Sequence, residues 1–143
     1  FILADLFVFL FALVLPWRYY SIAIISFLTL GALGLPVFAG GAGGFNHFIG
    51  STGGYLIGYL IGGVMVSLVS PKLYSKYSRL FLVFSGYYLL FIFGIGWLMY
   101  KANLSFTDAL QNGFFPFVLS MHLKGLVAWV IYTFAFPHLK LRT

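Results

Sequence analysis

The chain predicts an all-helical fold that crosses a membrane several times, and three features of its 143 residues carry that reading. Apolar residues make up 62% of it and charged residues 7%, whereas a soluble domain carries roughly 25% charged residues to cover its wet surface. Glutamate is absent, and the acids are Asp5 and Asp108. The apolar residues fall in runs close to the about 20 residues that a helix needs to cross the hydrocarbon. Those runs do not alternate apolar with polar positions, as the strands of a membrane barrel do.

Taken in order, the first run covers residues 1–15 and ends at Pro16, Trp17 and Arg18. It opens on Phe1 inside an apolar stretch, with no basic leader, so no cleavable signal is legible. The second run, 19–35, ends at Pro36. Residues 37–52 are too rich in glycine to form a continuous helix. The third span covers 53–69 and is stopped by Ser70 and Pro71. Within it Gly54, Gly58 and Gly62 recur on one helix face, where another helix backbone can approach closely, either inside the molecule or from another subunit. A basic loop with Lys72, Lys76 and Arg79 follows, and then a fourth span over 80–100. The stretch 101–113 is the most polar, with a short interfacial helix expected over 105–112. The last span covers 114–136 and is closed by Pro137 and a basic tail. All 143 residues are therefore expected to form a single transmembrane domain.

Charge gives these spans an orientation. Arg18, Lys72, Lys76, Arg79, Lys140 and Arg142 fall at alternate span ends and hence on one side, while the other side has Lys101, offset by Asp108. Lysine and arginine accumulate in cytoplasmic loops, so the glycine-rich segment and the 101–113 loop are expected outside, in a multi-pass plasma-membrane protein. The net charge of +6 thus reads as topology and not as a face for nucleic acid. There is no cysteine, which excludes thiol catalysis and Cys-ligated metals. No GxxxxGK[ST] loop is present, so the chain cannot bind and hydrolyse ATP in the usual way. An intramembrane serine protease would need a base placed for Ser51, and none is recognisable; an aspartyl type needs two intramembrane acids, but Asp108 lies in a loop. An enzyme is not expected, and neither a cofactor nor a metal is implied.

The most informative stretch reads Gly-Leu-Pro-Val-Phe-Ala-Gly-Gly-Ala-Gly-Gly from Gly34 to Gly44, then Phe-Asn-His-Phe-Ile, then Gly-Ser-Thr-Gly-Gly-Tyr-Leu-Ile-Gly from Gly50 to Gly58. It closely resembles the signature of the BioY family, the biotin-binding substrate (S) subunits of energy-coupling-factor (ECF) vitamin transporters, including the spacer length and the helix starting at the last glycine pair. The resemblance continues more weakly over the rest of the chain, in the order of family helices two to six. The family's first helix has no counterpart, so five spans are expected here against six in the family. The resemblance implies capture of biotin from the outer face for uptake. It also implies an energising module, made of a membrane coupling subunit and paired ATPases, and lipid around the spans. An S subunit of the same architecture for another small vitamin is the alternative.

Family logic and residue physics together name the candidate ligand residues. Glycine exposes backbone amides and permits positive φ, so Gly43, Gly44 and Gly53 are expected to fold a loop over a pocket and to bind the ligand through their backbone amides. Asn46 and His47 lie in the spacer, within reach of a ligand or of solvent. Tyr55 is placed either to cap the pocket or to sit in the interfacial belt. A second family landmark, Pro-Gly-Asp-x-x-Lys, aligns with Leu119-Ser120-Met121-His122-Leu123-Lys124, which keeps the lysine and loses the acid. Lys124 stands about ten residues into the last span, roughly 15 Å deep, where a lysine costs about 2.5–3.5 kcal/mol on insertion scales. Ser120 and Met121 share its face, and His122 points elsewhere. Two readings of Lys124 stand: an ammonium left without the family acid that holds the ligand's carboxylate, or a lysine paired with Asp5, the one intramembrane acid able to reach it.

Overall fold

A computed structural model describes residues 3–137, and among these the fold is helical. Seven α-helices follow in order: α1 (Ala4–Val14), α2 (Trp17–Ala32), α3 (Phe45–Phe48), α4 (Gly53–Val69), α5 (Lys76–Ala102), α6 (Phe106–Gly113) and α7 (Val118–Ala135). Three helical stretches, Gly53–Lys72, Lys76–Ala102 and Phe106–Ala135, are long and apolar enough to cross a membrane. The described parts of the first two helices are shorter, 11 residues for α1 and 16 for α2. The basic tail with Lys140 and Arg142 lies outside the described residues.

The breaks follow from local chemistry. Leu15 is extended before Pro16, whose fixed φ opens α2. Ser67 on α4 donates to the carbonyl of Leu15 at 2.6 Å, satisfying an acceptor left over at the α1 end. Ser75 caps α5 by accepting from the amide of Tyr77, so that helix starts before the expected residue 80 and takes in Lys76 and Arg79. The expected basic loop is correspondingly shorter. Arg79 is buried, and it donates to the carbonyls of Ser70 and Leu73 while lying over the ring of Tyr132. The guanidinium thus serves the turn after α4 instead of water. Asn103, in the left-handed region at φ 50°, ends α5. Ser105 caps α6, accepting from the amide of Asp108 at 3.2 Å and donating to its carboxylate at 2.6 Å. The short helix expected over 105–112 forms, and a 3-10 turn at Phe115–Phe117 carries it into α7.

The stripe of small residues on α4 packs inside the molecule. A Cβ on Gly58 would stand 2.8 Å from Cα of Leu90, one on Gly62 would stand 2.8 Å from the Gly86 carbonyl oxygen, and one on Gly54 would collide with the Trp97 side chain. The backbones of α4 and α5 therefore touch at three positions over about two helical turns. α1 lies against α4 and α7, and α2 lies against α4, where the Tyr20 hydroxyl donates to the Tyr59 carbonyl at 2.8 Å. Phe9, Val66, Val83, Tyr87 and Met121 are almost fully buried at the centre. Outward faces stay apolar, with Ile22, Phe81, Ile92 and Leu119 all exposed, as lipid-facing positions require.

Candidate ligand cavity

Between α1, α4, α5 and α7, under the glycine-rich loop, lies a cavity of about 370 Å³. Its walls are mostly aromatic and aliphatic: Phe27 of α2, Phe38 of the loop, Leu56 and Tyr59 of α4, Leu90 and Phe91 of α5, and Phe117 and Met121 around the start of α7. Its polar lining falls into two groups: Ser51, Thr52, His47 and Asn112, exposed or half-buried, from α3, α6 and the start of α4, and Asp5, Ser120 and Lys124, half-buried or buried, from α1 and α7.

The loop over the cavity is an ordered structure. Phe38 is buried with its ring against Gly31, where any Cβ would clash. Its ring meets Phe27 edge-on at 5.7 Å and the His47 ring face-on at 5.4 Å. Gly44, at φ 103°, turns the chain so that its amide donates to the Gly31 carbonyl at 2.6 Å, an angle a side chain would strain. Trp97 of α5 donates to the Gly50 carbonyl at 2.8 Å, and Tyr55 of α4 donates to the Gly113 carbonyl at 2.8 Å. These two bonds hold the loop and α6 onto the bundle. Thr52 and the His47 ring are 3.3 Å apart.

In the second group, Nζ of Lys124 donates to both carboxylate oxygens of Asp5, at 2.9 and 2.8 Å. Both side chains are largely withdrawn from solvent, 6% exposed for the lysine and 17% for the acid. α1 and α7 are thus clasped at the cavity wall, and the buried lysine has its countercharge. Tyr59 and Tyr87 lie within electrostatic reach of the Asp5 carboxylate.

The structure brings five of the nine sequence-derived candidates, Lys124, Ser120, Met121, Tyr55 and His47, into the lining of one cavity. It does not bring the other four there. Asn46 is exposed on α3. Gly43 and Gly53 pack against loop backbone, where a Cβ would fall on the carbonyls of Leu35 and Phe48 respectively. Gly44 serves the turn just described. These glycines shape the cover without lining the cavity. The expectation of a Lys124 ammonium without a countercharge is corrected, because Asp5 supplies one from a different helix. His122 stays out of the cavity wall, bonded to the Val118 carbonyl at 2.8 Å and 3.3 Å from the Tyr88 hydroxyl. Sequence reasoning missed Asn112, Thr52 and the aromatic walls. One of two asparagines in a polar stretch and phenylalanines among 18 in the chain carry no distinguishing signal.

Comparison with known proteins adds a family. The model of the BioY family matches residues 1–140. A Thermotoga maritima protein named "Biotin transporter BioY" is 36% identical over 131 residues, which are 92% of this chain and 77% of that protein. A Rickettsia prowazekii protein named "Probable biotin transporter BioY" is 34% identical over 83% of this chain, which spans 59% of that relative's length. A crystal structure of the S-component for biotin from an ECF-type ABC transporter superposes with a TM-score of 0.84 at 26% identity, over 91% of this chain and 71% of that one.

Proposed function

The chain belongs to the BioY family, and on that premise we propose that it is a membrane-embedded substrate-binding subunit that captures biotin and presents it for uptake. Its relatives are named as transporters and not as enzymes. The observation that carries the reading is the cavity of about 370 Å³. Small-molecule sites of roughly 300–1,000 Å³, mainly apolar with a few placed polar groups, suit a drug-sized ligand. Biotin has that division: an apolar thioether ring and chain, with a ureido group at one end and a carboxylate at the other. The walls around Phe38, Phe91 and Phe117 suit the apolar body, and the two sets of polar lining residues suit its two polar termini.

The site residues proposed are Lys124, Ser120, Met121 and Tyr55, joined by Asp5 and Asn112. Five spans are proposed, with the glycine-rich loop and α6 outside and the turn before α5 in the cytoplasm, supported by the six-to-one distribution of basic residues. Without a nucleotide-binding loop in this sequence, concentrative uptake needs an outside source of energy. The resemblance to an ECF-type S-component supports a membrane coupling subunit with paired ATPases as partners. The test is calorimetric titration of the purified chain with biotin, with thiamine and riboflavin as competitors. Saturable biotin binding that neither competitor displaces supports the proposal. Displacement by another vitamin assigns that vitamin, and no binding of any of them refutes the reading.

A further inference from the structure

We infer that Asp5 determines the charge preference of the cavity: by neutralising Lys124 it makes this part of the polar lining select a neutral donor–acceptor group and discriminate against an anion. This rests on the biotin reading and assigns each polar end of the ligand to one set of polar lining residues. Asp5 and Lys124 both line the cavity, and their side chains are joined by two short N–H···O bonds. Among the described lining residues they supply the one carboxylate and the one ammonium, so the charges of the pair sum to zero. An anion approaching the pair meets attraction and repulsion from charges less than 3 Å apart, and the two Coulomb terms largely cancel.

The Asp5 carboxylate keeps acceptor capacity. Its oxygens accept from Nζ twice and from the amide of Leu6 at 3.1 Å, while a carboxylate offers about four lone-pair sites. A urea or cyclic amide edge sets an N–H beside a C=O, so its donor can face Asp5 and its acceptor the ammonium. Biotin's ureido ring is such an edge. Its carboxylate then falls to Thr52 and Asn112 of the lining, which are exposed and leave an anion partly hydrated. Met121 tests the electrostatic part of the inference. It lines the cavity, is 1% exposed, and precedes Lys124 by three residues on the same face of α7. An acid there would restore the neutralising charge from a different helix.

The experiment titrates the purified full chain with biotin and with biotinamide, its neutral carboxamide. Wild type should bind the two within about threefold of each other. Asp5→Asn leaves a net positive wall and should favour biotin over the amide by about tenfold or more, the scale of a hydrogen bond to a charged group. Asp5→Asn/Met121→Asp should return the ratio to within about threefold of unity. Met121→Asp alone makes the wall net negative and should favour the amide by about tenfold; it keeps the inference testable if Asp5→Asn does not fold. A wild type that loses more than about tenfold on going to the amide overturns the inference, as does a folded Asp5→Asn variant with the wild-type ratio. Failure of wild type to bind either compound overturns the biotin reading itself, so the two failures are distinguishable.

Discussion

Replacing Lys124 by methionine should destabilise the protein far more than replacing both members of its pair. The substitution keeps side-chain length and removes the charge that two hydrogen bonds of 2.8 and 2.9 Å hold against Asp5. Stranding one member of a buried pair costs about 3–5 kcal/mol in a dry interior. Here Asp5 is 17% exposed, borders a cavity and keeps the bond from the Leu6 amide, so the expected loss is about 2–4 kcal/mol. Asp5→Leu/Lys124→Met leaves no stranded charge, and the cavity that the pair borders is also lined by Phe91, Tyr59 and Met121. An apolar replacement of a buried pair is often neutral or stabilising, so the double variant should fall within about 1 kcal/mol of wild type. The cycle then gives a coupling of about 2 kcal/mol or more, as expected of groups in direct contact. Equilibrium unfolding in mixed detergent micelles, followed by tryptophan fluorescence, measures all four proteins. A Lys124→Met variant as stable as the double variant would refute the reasoning, since the carboxylate would then lose nothing when its partner is removed.

Two further outcomes are expected. Because the chain contains no cysteine, single cysteines at the exposed positions Ser51 and Ser75 should react with an impermeant reagent from opposite faces of the membrane; labelling of both from one face defeats the proposed sidedness. Gly43→Val places a branched side chain on the Leu35 carbonyl, so it should weaken biotin binding by about tenfold or more through displacement of the loop cover, with the bundle still folded by circular dichroism; unchanged affinity would reduce this loop to a connector.

Much of the helical layout was legible because breaks in it are made by residues that act locally. Pro16 divides the first two helices, Ser70 and Pro71 end the third span, and the glycines between Gly34 and Gly44 interrupt the helix before α3, whereas the Ser75 cap that starts α5 ahead of residue 80 was not read. Helix α6 was likewise readable from a polar stretch between apolar runs. Arg79 was not, because a basic residue near a predicted loop reads as solvated until the carbonyls of Ser70 and Leu73 come into view. The Gly54–Gly58–Gly62 stripe announced a close helix contact but could not name the partner, which is α5.

At the candidate site the division is sharper. The sequence by itself determined that a lysine lies deep in an apolar helix, that Ser120 and Met121 share its face, and that Asp5 is the acid among the spans, since hydropathy and helical period are properties of a single segment. Only the tertiary structure decided that Asp5 and Lys124 meet, 119 residues apart in sequence. It likewise decided that Gly43, Gly44 and Gly53 shape the cover without lining the cavity, and that Phe38, Phe117 and Asn112 share one space. Contacts between helices depend on how each is rotated and how deep it lies against its neighbours. Those are set by the summed packing of the whole bundle, in which a buried charge finds its partner only once the helices are in place.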